Sequence, residues 1–138
     1  MRQSTHILTI DTRRQGMLDV TRPILDWVRA QGVEQGLLTV FCRHTSASLL
    51  IQENAAPAVR SDMEAYFARI APESAAYDHD DEGPDDMPAH LRTALTGVQL
   101  TVPVIDGMPA LGTWQGIYLF EHRRHPRRRT LALHLIGD

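Results

Sequence analysis

The stretch HDDEGPDDMPAH, His79 to His90, holds two histidines and five acids, with Asp78 immediately before it and no cation inside. Carboxylates at that density repel one another, so the segment is either a solvated loop or a place where something positive belongs. A divalent metal would resolve the repulsion, because carboxylates suit Mg²⁺ or Mn²⁺ and imidazoles suit Zn²⁺ and its neighbours. The spacing is neither that of an EF-hand, since no bidentate Glu closes the loop, nor that of HExxH. His90 follows Asp86 by four residues on an expected helix, which puts the two on one face. A second segment, RHTSAS (Arg43–Ser48), lies between two apolar strands: His44 offers a metal ligand or general base, and Thr45, Ser46 and Ser48 offer hydroxyl and amide donors to phosphate oxygens. It can equally be a turn capped by its own serines. The third, LGTWQGIYLFEHR, places Gly112 and Gly116 around Trp114. The Gly112 and Thr113 amides can hold an anion, Trp114 can stack on a planar ring and Gln115 can read its edge, or the segment is a glycine-marked bend with a core tryptophan.

The elements that must position these residues follow from periodicity. THILTI alternates as a half-buried strand. Val20, Ile24, Trp27 and Val28 share one helical face, with Asp19 as a cap and Gly32 as the stop. GLLTVFCR and SASLLIQE read as strands. Pro57 opens a helix with Val59, Met63, Tyr66, Phe67 and Ile70 on its apolar face, and MPAHLRTAL forms a short helix with Met87, Leu91 and Leu95 as its stripe. VQLTVPVI, TWQGIYLFEH and TLALHLI close the chain as strands, the first two separated by DG and LG turn signals. The order β-α-β-β-α-α-β-β-β predicts a single α+β domain over residues 1–138 with a largely antiparallel sheet and about three helices.

Composition narrows the chemistry. All 14 cations are arginine, which excludes Schiff-base lysines and lysine-dependent phosphate loops. The single cysteine, Cys42, sits in an apolar run and reads as a small buried hydrophobe. Charge is segregated: Asp78 to Asp86 carries six acids, whereas RRHPRRR (Arg123–Arg129) gathers five arginines and reads as a solvated basic turn. An isoelectric point near 6.1 and the lack of further basic stripes argue against nucleic acid as a partner. No apolar run approaches the roughly 20 residues of a membrane span, and MRQSTHILTI lacks the apolar block of a signal peptide, so the expected compartment is the cytoplasm. Among the other histidines, His134, in the apolar strand TLALHLI, is expected to be a core or interface residue.

Taken together, HTSASLLIQEN, HDDEGPDDMPAH and GTWQGIYLFEHR resemble the YjbQ-like family, whose members are described as secondary thiamine-phosphate synthases, from the first strand to the last. The resemblance implies a small α+β domain that forms a homotrimer, with polar clusters near subunit boundaries, a bound divalent metal or anion in some members, and a weak or incidental synthase activity. Residue by residue it selects His44, Thr45, Ser46 and Asn54, then His79, Asp81, Glu82, Asp86 and His90, then Gly112, Thr113, Trp114, Gln115 and Glu121. The implied reaction joins a pyrimidine diphosphate to a thiazole phosphate and releases pyrophosphate. In that reading His44, His79, Asp86 and His90 ligate the metal, and His44, Asp81, Glu82 and Glu121 serve catalysis. Thr45, Ser46, Asn54 and the Gly112–Gln115 loop bind the small phosphorylated substrate. Two alternatives from other classes are a metal-dependent hydrolase of a phosphorylated or amide substrate, with His44 or Glu82 as base, and a non-catalytic trimer that binds a metal or an anionic metabolite.

Overall fold

The computed structural model describes residues 1–138. Eight strands and three helices follow in the order β1 (Arg2–Thr12), β2 (Gly16–Asp19), α1 (Thr21–Gln31), β3 (Gly36–Cys42), β4 (Ala47–Glu53), α2 (Pro57–Ile70), α3 (Asp86–Thr96), β5 (Gln99–Ile105), β6 (Met108–Pro109), β7 (Gln115–Glu121) and β8 (Arg127–Gly137). The α+β class and every longer element agree with the sequence reading. Two short strands, β2 and β6, were not legible: four and two residues long, they are defined by pairing to β7 and β5 rather than by a pattern of their own.

The strands form two antiparallel sheets, β1-β8-β3-β5-β6 and β2-β7-β4. Alternation in β3 and β8 turns Leu38, Val40, Leu131, Leu133 and Leu135 inward, where they meet Leu49, Ile117 and Leu119 of the second sheet and Ile24 and Val28 of α1. Gly32 ends α1 in the left-handed region (φ 66), where glycine avoids a Cβ clash. Asp19 accepts a hydrogen bond from the Thr21 amide at 2.9 Å, satisfying one free donor of the first turn. Asp106 and Gly107, both with positive φ, make the two-residue β5–β6 hairpin that the DG signal marks.

β7 is buried on both sides. Ile117 and Leu119 face the main core, while Tyr118 and Phe120 form a smaller cluster with Met17, closed by Met63 and Phe67 of α2. Helix α2 therefore covers the second sheet with only part of its expected face, leaving Tyr66 and Ile70 about half exposed. Helix α3 departs further from its pattern. Its buried residues are Asp86, Pro88, Ala89, Arg92 and Thr93, whereas Leu95, from the expected apolar stripe, is 64% exposed. Polar partners, not hydrophobicity, orient this helix. His134 is not a core residue: it is exposed on the outer face of β8, hydrogen-bonded to Gln3. No helix is long and apolar enough to cross a membrane.

One histidine is wholly interior. His122 follows β7, has no exposure, and its Nε2 meets Ser48 Oγ at 2.9 Å; Ser48 in turn meets Thr96 Oγ1 at 2.5 Å. Burial, assisted by the charges of Arg92 and Arg129, pushes its pKa down to about 3 from an ordinary 6.5. Between those values the unfolded chain binds a proton that the folded chain refuses, so stability rises with pH, and is lost as pH is lowered, by up to about 1.4 kcal/mol per unit. The His122→Gln variant, whose side chain does not titrate, is expected to lose this slope. Urea unfolding compared at roughly pH 4 and pH 7 checks it, and equal slopes in the two proteins would show that His122 does not set the acid limit.

Candidate metal and anion site

The acidic turn folds around an arginine from the distant basic segment. Arg123 Nε donates to Asp85 Oδ2 at 3.1 Å, Nη1 to Asp86 Oδ1 at 2.5 Å, and Nη2 to the Glu82 carbonyl at 2.9 Å. The Arg124 amide adds a bond to Asp85 Oδ2 at 2.9 Å. Gly83, at φ +98, supplies the left-handed residue that lets the chain turn back on this guanidinium. Asp85 and Asp86 are 5% and 3% exposed. Burial works against their charge, but the bonds from the Arg124 amide and from Arg123 hold Asp85 below the usual carboxylate range. For Asp86, His79 and the charges of His90 and Arg123 do the same. RRHPRRR is thus not a solvated turn at its ends: Arg123 is inserted here, and Arg129, 5% exposed, is inserted beside it.

The second oxygen of Asp86 faces two imidazoles. His79 Nε2 lies 2.7 Å and His90 Nε2 3.1 Å from Oδ2, and Glu82 Oε2 is 2.9 Å from the same His79 nitrogen. His90 Nδ1 lies 2.8 Å from the Thr45 carbonyl. A carbonyl only accepts, so Nδ1 carries a proton, and Nε2, turned toward Asp86, is the nitrogen left for a metal. That is the orientation an outer hydrogen bond gives to a metal-ligating histidine. Ligand atoms of His79, Asp86 and His90 lie within 4.8 Å of one another, and His79, Asp81 and Glu82 form an overlapping exposed group. Two imidazoles with one or two carboxylates fit Zn²⁺ or Mn²⁺ better than an all-oxygen Mg²⁺ site. Without a metal the same atoms form ion pairs, and the hydrogen bond that His79 donates to the Asp86 carboxylate raises the His79 pKa.

The other residues singled out from the sequence distribute unevenly. His44 is outside this cluster; its Nε2 accepts the Thr130 amide at 2.8 Å. Burial and the Arg129 charge lower its pKa, favouring the neutral ring. Ser46 Oγ accepts from Arg129 Nη2 at 2.9 Å and is buried. Glu121, 1% exposed, receives both Arg129 Nε and Nη2, the Thr12 hydroxyl and the Arg123 amide, so its oxygens are filled from within the protein. The GTWQ segment lies elsewhere. Antiparallel pairing sets Ala47 opposite Glu121 and Glu53 opposite Gln115, so HTSAS neighbours the acidic turn while Asn54 neighbours the GTWQ loop. The two ends of β7 are separated by about 20 Å at 3.3 Å per residue. At the far end Gln115 Oε1 accepts the Gly112 amide at 2.8 Å, the Asn54 amide donates to the Trp114 carbonyl, and Trp114 is 64% exposed. Trp114 is therefore not a core residue.

The chain as a whole is similar to other proteins. A family model described as UPF0047 protein YjbQ-like matches residues 6–138. The chain belongs to the YjbQ/UPF0047 family. It is 46% identical to UPF0047 protein sll1880 of Synechocystis, over 99% of this chain and 94% of that one. It is 45% identical to UPF0047 protein YjbQ of Salmonella typhimurium, over 95% and 96%. The fold superposes on the crystal structure of hypothetical protein APE1520 from Aeropyrum pernix with a TM-score of 0.88 at 32% identity, covering 98% of this chain and 99% of that one. A YjbQ/UPF0047 protein of Clostridium acetobutylicum gives 0.88 at 31% identity, with 95% and 99% covered.

Sequence reading missed Arg123 and Arg129 as parts of this region. The available signal was the matching of an acidic block by a basic one, without a means to say which arginines turn inward. Removing Arg123 leaves Asp85 and Asp86 buried without their cation. Arg123→Ala is expected to cost about 3–5 kcal/mol in urea unfolding. Asp85→Asn should be markedly less harmful in the Arg123→Ala background than alone; equal costs in both backgrounds would show that the two do not depend on each other.

Proposed function

We infer that the chain is a cytoplasmic, metal-dependent enzyme acting on a small phosphorylated substrate, and that its reaction is the joining of a pyrimidine diphosphate to a thiazole phosphate. The observation that carries the metal reading is the convergence of His79 Nε2, His90 Nε2 and Asp86 Oδ2, with the His90 ring fixed by the Thr45 carbonyl. A divalent ion held there would neutralise the departing pyrophosphate. The chain's own residues supply the rest. Asp81 and Glu82, exposed beside His79, would favour the cationic carbon that develops as the diphosphate leaves. The Thr45 hydroxyl, also exposed, would donate to a phosphate oxygen. Nothing in this displacement requires a lysine or a thiol. Buried Cys42, whose pKa burial pushes up to about 11, is no nucleophile.

The substrate's ring and second phosphate would be bound by Trp114 and the Gly112–Gln115 backbone of a neighbouring copy in a homotrimer. Support comes from the outer face of the larger sheet, where Ile7, Leu37, Phe41, Ile105 and Ile136 are each 39–56% exposed. A single-chain protein rarely leaves that many large apolar groups together on one face.

Three measurements test this reading. Calorimetric titration of chelated protein with Zn²⁺ and Mn²⁺ is expected to show one saturable site per chain, lost in His90→Ala with little change in metal-free unfolding. Product analysis with both substrates should show metal-dependent thiamine phosphate; release of inorganic phosphate from the diphosphate alone would favour a hydrolase. Light scattering should return three times the chain mass, and a monomer at micromolar concentration would remove the shared site.

A further inference from the structure

We propose a second ligand site, separate from the histidine cluster: a cavity of about 620 Å³ bounded by the Gln15–Gly16 turn, α2, the Pro72–Ser74 segment and the end of β7, which takes a small anion carrying an amine. Its anion anchor is Arg92. This side chain is 7% exposed and lines the cavity. Its one hydrogen bond runs from Nη2 to the Ala71 carbonyl at 2.8 Å, and Nε has no partner. The other two deeply placed arginines are each matched, Arg123 with Asp85 and Asp86 and Arg129 with Glu121, but Arg92 forms no ion pair. A buried guanidinium without a counter-ion is costly unless something else brings the negative charge.

The amine is read from Glu64, which faces the same cavity. Its Oε1 accepts the Met17 amide at 3.0 Å, and it too has no ion-pair partner. The cavity's other carboxylates are already used: Glu73 by Arg124 and Gln15, Glu121 by Arg129. What remains is one unmatched positive and one unmatched negative side chain on a single cavity of ligand size, with the Phe120 ring as an apolar wall. A carboxylate or phosphate joined to an ammonium group answers both charges; a plain anion answers only one. Arg92 follows His90 by two residues on α3, about 200° around the helix, so this cavity opens on a different side from the histidine cluster and does not depend on a metal there.

The test uses inorganic phosphate, ethylamine and O-phosphoethanolamine, titrated calorimetrically into the full-length, chelated protein. O-phosphoethanolamine is expected to bind saturably and about tenfold or more tighter than phosphate, with ethylamine weakest. Arg92→Gln should weaken both phosphate compounds at least tenfold. Glu64→Gln, which keeps the acceptor for the Met17 amide, should abolish the advantage of O-phosphoethanolamine without weakening phosphate. Ala68→Trp, on the exposed face of α2 at the cavity wall, should block both ligands without disturbing any buried contact, and serves if Arg92→Gln does not fold. His90→Ala should change nothing. Absence of saturable binding, binding indifferent to Glu64→Gln and Ala68→Trp, or binding lost in His90→Ala would each overturn the site.

Discussion

Asp86 has two carboxylate oxygens, and the fold gives each a different partner. One is held by Arg123 and the other by His79 and His90. Because the arginine arrives from the end of β7 and the histidines from the acidic turn and α3, this single side chain fixes three segments relative to one another. It also explains why α3 buries a polar face and leaves Leu95 in solvent. The helix is placed by what Asp86 and Arg92 must reach, and its hydrophobic stripe yields. A few apolar contacts at about 25 cal/mol per Å² are outweighed by the cost of burying two aspartates without their cation.

Arginine is the residue that makes such an arrangement possible. Arg123 serves two carboxylates and a carbonyl at once, and Arg129 grips Glu121 through two nitrogens while a third contact holds Ser46. A lysine, with its single compact charge, cannot satisfy a fork of acceptors of this kind. The lack of lysine therefore has a structural expression as well as a chemical one. The same guanidinium would temper the proposed metal binding: with Arg123 on Oδ1, Asp86 offers a partly neutralised carboxylate, so affinity for a divalent ion would rest more on the imidazoles than six neighbouring acids suggest.

Elements long enough to show a period were legible in the sequence: α1 with its Gly32 stop and the strands GLLTVFC and TLALHLI; the DG turn was legible from its residue types. β2 and β6 were not, since edge strands of four and two residues exist only through their partners. Within the site, the i, i+4 relation of Asp86 and His90 was readable from local geometry, and so was the need for a positive charge among the acids. The identity of that charge was not: Arg123 lies 37 residues from Asp86, and nothing local distinguishes an arginine that turns inward from its neighbours in RRHPRRR. Leu95 misleads for the opposite reason. It sits in an apolar local context, yet the face it occupies is turned outward by tertiary partners that local periodicity does not report.

The register of β4 against β7 carries a consequence for any ligand large enough to need all three polar segments. An antiparallel pair places the start of one strand beside the end of the other, so His44 to Ser46 must accompany Glu121 and Arg123, and Asn54 must accompany Gly112 to Gln115. Shifting the pairing by one residue would exchange every inward and outward side chain of β7, which is buried on both faces and tolerates no such slip. The roughly 20 Å between the two ends is thus as fixed as the core itself. Within one chain the GTWQ loop and the histidine cluster cannot close on the same small molecule, and loop motion at either end cannot span a rigid strand. In the proposed homotrimer, convergence of the two would require the exposed Trp114 of one copy to meet the acidic turn of the next, and a closed symmetric ring would repeat that meeting at every boundary.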